Sequence, residues 1–359
     1  MLVTIIFFIL LLGVLVLVHE WGHFVVARKF SVRVEEFAFG FPPRLASITR
    51  RGPRYALNLF PIGGYVKIFG ESGEDEQNPA SFSSRPLWQR FSIIAAGVVM
   101  NFVLAWFLFS LGHGLGLPTV LDEGQAAEHA TVTIIGISPG SPAEQAGLKF
   151  GDAIQKLEIG NENSEIGEIG EVQKFIEAHR GEEVKVVVGR AKSLVEVRLT
   201  PRVSPPEGEG PLGIAMARIA VVRSPWWRAP WDGLKTTVNA VAAIAVALGR
   251  VAAEAVSEGR VSADVTGPVG IFAFAHESRR LGLVYLLELA GVLSINLAFL
   301  NILPIPALDG GRILFLFIEG VRGARMNQRL EQAIHTVGFA ILLLLMAAIT
   351  YRDIARGVF

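Results

Sequence analysis

The sequence predicts a polytopic α-helical membrane protein of about four transmembrane helices, with a membrane-associated β-hairpin region and an inserted α+β domain. Three observations carry this. Of the 359 residues, 51% are hydrophobic and 18% charged, too apolar for an ordinary soluble chain of this length. Apolar runs of roughly the 17–21 residues that a span requires recur along the chain. Between two of them lies a long segment of alternating apolar residues punctuated by Gly and Pro, the pattern of short strands and turns.

The first predicted span covers residues 1–27. Leu2 to Val18 carries no charge, no basic residue precedes it, and Arg28 and Lys29 follow it. This is the pattern of a retained helix with its N-terminus outside the cytoplasm, not of a cleaved leader. Its end holds His19-Glu20-Trp21-Gly22-His23. Four residues apart on a helix, His19 and His23 share one face a turn apart, so both imidazoles can grip one metal ion. Glu20, on the adjacent face, can serve as general base toward a water at that metal. Two histidines and a glutamate are costly in an apolar span unless they are paired or ligate something, which weighs against a chance match.

Residues 28–92 form a loop with ten Lys/Arg from Arg28 to Arg90, so it is expected on the cytoplasmic side. Within it, Phe39-Gly-Phe-Pro-Pro and Tyr55 to Lys67 read as partly apolar β-hairpins. Residues 93–113 are the second span, interrupted by Asn101.

Residues 114–203 then lie outside. Thr131 to Ser138 reads as a strand, Pro139 to Leu148 as a turn and short helix, and Gly151-Asp-Ala-Ile as a turn into a second strand. A helix near Glu171–His179 and strands near Val184–Val188 and Leu194–Leu199 complete the pattern. The run S-P-A-x-x-A-G-L…G-D-x-I resembles a PDZ domain of the bacterial, circularly permuted type. That resemblance implies binding of a peptide or protein C-terminus by strand addition. Residues 204–280 follow, with an Ala-rich apolar stretch of about 12 residues at 238–249, preceded by Trp226, Trp227 and Trp231. It reads as an amphipathic or interfacial helix.

The third span, 281–303, carries Glu288, Asn296 and Asn301, and residues 304–333 begin with Pro304, Pro306 and Leu308-Asp309-Gly310-Gly311. The prolines end the helix and the glycines permit a tight turn, so Asp309 can point back into the bundle. Arg312, Arg322, Arg325 and Arg329 put this loop on the cytoplasmic side. His23 lies only about 7 Å of helix before Arg28, so both motifs fall at one depth. Residues 334–359 form the fourth span and C-terminus. Two histidines and one carboxylate leave a position open, as in catalytic zinc sites. The chain has no cysteine, which leaves nitrogen and oxygen as ligands. Equal numbers of basic and acidic residues, 33 each, imply no partner nucleic acid. Glu288 and His335 alone do not make the ligand path that a metal transporter would need.

With these motifs the chain resembles the site-2 proteases, intramembrane zinc metalloproteases, in the bacterial regulator-of-sigma-E protease branch. The resemblance rests on H-E-x-x-H, Phe60-Pro-Ile-Gly-Gly-Tyr-Val-Lys67, Gly97 to Asn101, Thr266 to Ile271, and Ser294-Ile-Asn through Leu308-Asp-Gly-Gly311. It implies one zinc ion per chain on His19, His23 and Asp309, with Glu20 catalytic. It also implies substrate contacts from Asn296, Asn301 and the strand edge around Gly63, Gly64 and Tyr65, in a hairpin region that re-enters the membrane. Implied substrates are single-pass transmembrane proteins, namely anti-sigma-type regulators and remnant signal peptides. The implied setting is the bacterial inner membrane and its lipid bilayer, with the PDZ domain periplasmic and the active site near the cytoplasm. One PDZ-like domain is legible where the best-known sigma-E-regulating members carry two.

Overall fold

The computed structural model describes the chain apart from residues 1, 72, 74, 122–129, 161, 191–192, 207, 259–266 and 356–359. Two compact units are formed. One comprises the chain up to Gly112, Trp226–His276 and everything from Leu286 onward; the other comprises His113–Pro225 with Glu277–Tyr285.

In the first unit, helix α1 (Leu2–Lys29) ends at Ser31, whose φ of 57° turns the chain out of the helix. Strands β1 (Val34–Thr49) and β2 (Arg54–Ile68) follow. Both are long enough to fold back on themselves. Phe37 pairs with Val66 on one side and Tyr55 on the other, and Phe39 likewise with Gly64 and Leu57. Segment 64–68 therefore forms one edge of a curled four-ply sheet and segment 44–49 the other. The sheet leans on α1, where Gly13 leaves room for the Phe39 ring; a Cβ there would lie 2.9 Å from it. Helix α2 (Leu87–Leu115) begins at residue 87, six before the expected span, because Leu87 to Ser92 continue the helix past the uninterrupted apolar run. Phe24, Ala27, Val34, Phe37, Ile68, Ile93 and Ile94 pack α1, the sheet and α2 into one core.

The second unit is a seven-stranded antiparallel sheet with two short helices. In chain order its elements are β3 (Leu117–Val120), β4 (Thr131–Ile137), α3 (Pro142–Gln145), β5 (Ala153–Ile159), β6 (Glu162–Glu165), α4 (Ile169–Ala178), β7 (Val184–Arg190), β8 (Ser193–Leu199) and β9 (Ile214–Val222). The strand order is β3-β9-β4-β5-β7-β8, with β6 beside β5. Ser141 caps α3 by accepting the Glu144 N–H at 3.2 Å, and Pro142 occupies the first turn, where its missing N–H costs nothing. Buried Asp152 accepts the Lys149 N–H and two hydrogen bonds from Arg190, which explains the Gly-Asp of the motif. The predicted strands and helices of residues 131–199 form where expected. The sheet also takes in β9, past the residue-203 boundary read from the sequence, because its apolar residues pair with β4 from Thr131↔Ile219 to Ile137↔Ile214.

The first unit resumes with α5 (Ala229–Glu258). It is much longer than the 12-residue interfacial segment expected at 238–249. Its inner side packs against α2 and α7, where Ala240, Val241 and Ile244 meet Ala105, Phe109 and Ile295. The remaining helices are α6 (Pro268–Leu281), α7 (Leu283–Ile302), α8 (Asp309–Arg322) and α9 (Gln328–Ala355). Thr266, which opens the 266–271 motif, lies outside the described residues. Among the described residues five helices are long and apolar enough to cross a membrane: Val3–Lys29, Leu87–Leu115, Ala229–Val251, Leu283–Ile302 and Gln328–Ala355. That is one more than the four spans expected, and the addition is α5.

Candidate metal centre

His19 and His23 stand one turn apart near the end of α1, both buried, with their rings edge to face and 4.8 Å between centroids. Asp309 reaches them from the far end of the sequence. After α7 the chain breaks at Pro304 and Pro306 and re-enters a helix at Asp309, the first residue of α8. The turn is tight enough that a Cβ on Gly310 would touch the Ile302 carbonyl carbon at 2.5 Å, and one on Gly311 the Ile305 oxygen at 2.5 Å. Both glycines are thus required by the close approach of backbone to backbone.

The three donor atoms form a small triangle. Asp309 Oδ2 lies 3.1 Å from His19 Nε2 and 3.2 Å from His23 Nε2, and the two Nε2 atoms are 3.3 Å apart. Zinc bonds to nitrogen of roughly 2.0–2.1 Å give a tetrahedron with edges of about 3.3 Å, so the triangle is one face of such a site. Oδ2 is buried yet has no hydrogen-bond partner, an expensive state unless a cation completes it.

The outer nitrogens of the imidazoles are tied down, which orients their lone pairs. His23 Nδ1 donates to the Ile93 carbonyl at 2.8 Å, leaving Nε2 unprotonated for a metal. His19 Nδ1 lies 3.2 Å from the carboxamide nitrogen of fully buried Asn101, whose oxygen has no partner. Turning the amide over lets that oxygen accept the Nδ1 proton. Asn101 is held in turn by Ser294 Oγ, which donates to its backbone carbonyl at 2.8 Å. Between these anchors sits Gly97 of α2. A Cβ there would lie 2.6 Å from His19 Cε1 and 2.7 Å from His23 Cε1, so a glycine is needed for the rings to stand.

Glu20, next to His19 on α1, accepts the Val66 N–H with its Oε2 at 3.0 Å. That amide belongs to the free edge of the four-ply sheet. The predicted contacts Gly63, Gly64 and Tyr65 lie just before it on β2. Gly64 packs its backbone against Ala38, and the Tyr65 hydroxyl donates to buried Glu36, both of whose carboxylate oxygens also accept from one Arg44 nitrogen. Of the two asparagines on α7, Asn301 comes to the metal ligands, 3.4 Å from His19 Nε2. Asn296 is half-buried and about 140° away around the same helix. Glu288 sits about 20 Å of helix before Asn301, away from the cluster.

Sequence reasoning left Gly97 without a role at the metal and Asn101 between structural packing and a role near the site, and it missed the Val66 amide and Ile93 carbonyl. The last two are backbone groups and leave no mark in a sequence. The Gly97 signal was present, since a glycine inside an apolar helix implies a close approach.

Comparison with known proteins agrees with this geometry. The family model described as peptidase family M50 matches residues 7–345. A zinc metalloprotease RasP of Bacillus licheniformis is 30% identical over 444 aligned residues, covering 98% of this chain and 99% of its own. The regulator of sigma-W protease RasP of Bacillus subtilis is 28% identical, covering 98% of each chain. A Clostridium acetobutylicum protein that carries a zinc metalloprotease name is 31% identical over 352 residues, covering 96% of each. The donor triangle, its open face and a match along nearly the whole length make this chain a membrane-embedded zinc metalloprotease that belongs to peptidase family M50, the site-2 proteases.

Proposed function

We propose that this protein cleaves single-pass transmembrane substrates within the membrane, in the manner of regulated intramembrane proteolysis. The observation that carries the reading is the His19–His23–Asp309 triangle at the end of an apolar helix, with Glu20 one residue away against a free strand edge. His19, His23 and Asp309 would hold the ion. When bound, zinc supplies Lewis acidity to the scissile carbonyl and to the attacking water.

The chain's own groups do the rest. The Glu20 carboxylate takes a proton from the attacking water and delivers it to the departing amide nitrogen, so that water adds across the C–N bond to give a carboxylate and an amine. The Val66 N–H holds that carboxylate in place. A transmembrane substrate must first lose helical hydrogen bonds, and the freed groups need partners. The edge at Gly63, Gly64 and Tyr65 would supply backbone partners, and the carboxamides of Asn301 and Asn296 side-chain ones. Exposed Phe41, Leu45, Ile48, Leu57, Leu59 and Phe60 on the hairpins support their entry into the bilayer beside α1.

The second unit supports the PDZ reading. Residues 214–217 of β9 pair with β4 on one side, while among the described residues the other side is covered only from Arg218 onward, by β3 and Leu121. The open edge and α4 line a groove of about 360 Å³, closed at one end by Gly210–Gly213. A peptide or protein C-terminus would add there as a strand. With basic loops at 28–90 and 312–329, the proposed orientation is a cytoplasmic-side active site and a periplasmic PDZ domain in the bacterial inner membrane. By its motifs the chain is proposed to act like the regulator-of-sigma-E proteases, on anti-sigma-type regulators and remnant signal peptides, although it carries one PDZ domain where the best-known members carry two. A reconstituted single-pass substrate analysed by mass spectrometry tests this: product ends within the hydrophobic span are expected. Cleavage confined to its soluble flanks would exclude an intramembrane site.

A further inference from the structure

The Asp309 ligand hangs from a turn that does not hold its own shape. Two residues before it, Ala307 has φ 80°, a region that a residue with a side chain rarely occupies. Such a conformation persists only where the surroundings impose it. The turn's own hydrogen bonds, Ile305 N–H to the Leu303 carbonyl and Leu308 N–H to the Ile305 carbonyl, leave the Ala307 N–H unused.

That amide is met from α9. Ala307 N–H donates to His335 Nδ1 at 2.7 Å. One turn further along α9, Gly338 is buried against Pro306; a Cβ there would lie 2.8 Å from the Pro306 oxygen. Gly338 and Asp353 are the buried residues of α9 among those described, so the His335–Gly338 face is where this otherwise outward-facing helix grips the turn. The His335 ring is also packed edge-on against Phe315 of α8, 5.3 Å between centroids. Because Nδ1 accepts, the ring is neutral with its proton on Nε2. That edge is buried and faces a cavity of about 380 Å³ lined also by Arg312, Glu331 and Gln332.

We infer that His335 is a positioning residue for the metal site: by accepting the Ala307 amide proton it locks the turn that aims Asp309 at His19 and His23. The inference rests on Asp309 being a zinc ligand. Metal–ligand distances tolerate only about 0.2 Å of error, so freedom at Ala307 passes straight to the site. Loss of an outer partner of a ligand typically weakens metal binding by about 10–100-fold.

The test is the rate at which zinc-loaded, full-length protein in detergent gives up zinc to excess chelator, with kcat and KM on a model substrate measured alongside. His335→Phe keeps the ring and its contact with Phe315 but has no acceptor; it should release zinc about 10–100-fold faster and lower kcat more than it changes KM. His335→Asn puts a carboxamide oxygen near the Nδ1 position and should stay within about threefold of wild type. Wild-type release from His335→Phe overturns the inference, and so does equally fast release from both variants, which would make the ring's packing the cause. Gly338→Ala, which pushes α9 off Pro306, should also accelerate release if His335→Phe does not fold; an unchanged rate there overturns the inference. Asp309→Ala is the control. If it retains zinc like wild type, the ligand assignment itself fails; if it loses zinc while His335→Phe does not, only the positioning role of His335 fails.

Discussion

Replacing Gly97 by alanine tests how closely the bundle is shaped around its metal. The added methyl would lie 2.6 Å from His19 Cε1 and 2.7 Å from His23 Cε1. Carbon atoms in ordinary contact stand roughly 3.5–4.0 Å apart, so each ring would have to retreat by about 1 Å. Neither is free to do so, since His23 is tied to the Ile93 carbonyl and His19 to Asn101. The helices are no freer to separate: Gly22 of α1 sits against Ala96, where a Cβ would already be 2.7 Å from the carbonyl carbon. A 1 Å shift is several times the tolerance of about 0.2 Å in metal–ligand distance. Zinc affinity should fall at least 10–100-fold, about 1.4–2.7 kcal/mol. Helix propensity acts in the opposite direction, favouring alanine by about 1 kcal/mol, so the variant should remain folded. The assay is zinc titration against a competing chelator, with helicity followed by circular dichroism. Gly249→Ala on α5, where a Cβ would meet nothing within 4 Å, is the control and should bind zinc normally. A folded Gly97→Ala protein with wild-type zinc affinity would refute the packing argument.

Three further outcomes are expected. Val66→Pro deletes the amide that holds Glu20 without breaking a ladder bond, because that N–H faces the free edge where proline is tolerated. The variant should keep its zinc and lose up to about 100-fold in kcat, and a wild-type kcat would show that Glu20 needs no such anchor. Asp152→Ala removes the acceptor of the Lys149 and Arg190 hydrogen bonds and should destabilise the seven-stranded sheet by about 1.5–3 kcal/mol. Hydrogen exchange should report that loss over residues 131–199 and leave α1 and α2 protected. Arg90→Ala removes the bidentate partner of half-buried Glu319, leaving it Arg325 at 3.8 Å, and should cost about 1.5–3 kcal/mol, read as increased chelator sensitivity and proteolysis around α8.

The residues that could hold the metal are legible because each leaves a signature in sequence. His19 and His23 share a helix face by spacing alone, and Asp309 was recovered from a Pro-Pro-Gly-Gly turn at matching depth. What surrounds them was harder to read. The Ile93 carbonyl and Val66 amide belong to the backbone, and no residue type announces them. The fold-back of β1 and β2 doubles their pairing, so a period-2 reading finds the strands but not which edge stays free. The α5 helix was underestimated because its flanks carry charge at Lys235, Arg250 and Glu254, which confines the apolar signal to its alanine-rich middle. β9 was passed over because it follows a Pro- and Gly-rich stretch that resembles the end of a domain. Asn296 and Asn301 looked equivalent in a list of intramembrane amides. Five residues of helix separate them by about 140°, and only Asn301 meets His19.

The central claim is that Glu20 activates water at a zinc held by His19, His23 and Asp309 to cut a peptide bond in the membrane. It is tested most directly by reconstituting wild type and Glu20→Gln with a single-pass substrate and measuring zinc content and cleavage together. Wild type should cleave within the substrate's span, stop on chelation and recover with added zinc. Glu20→Gln should hold the same zinc and lose roughly 10²–10⁴-fold in rate or more. A zinc-loaded Glu20→Gln protein that cleaves at the wild-type rate would contradict the account.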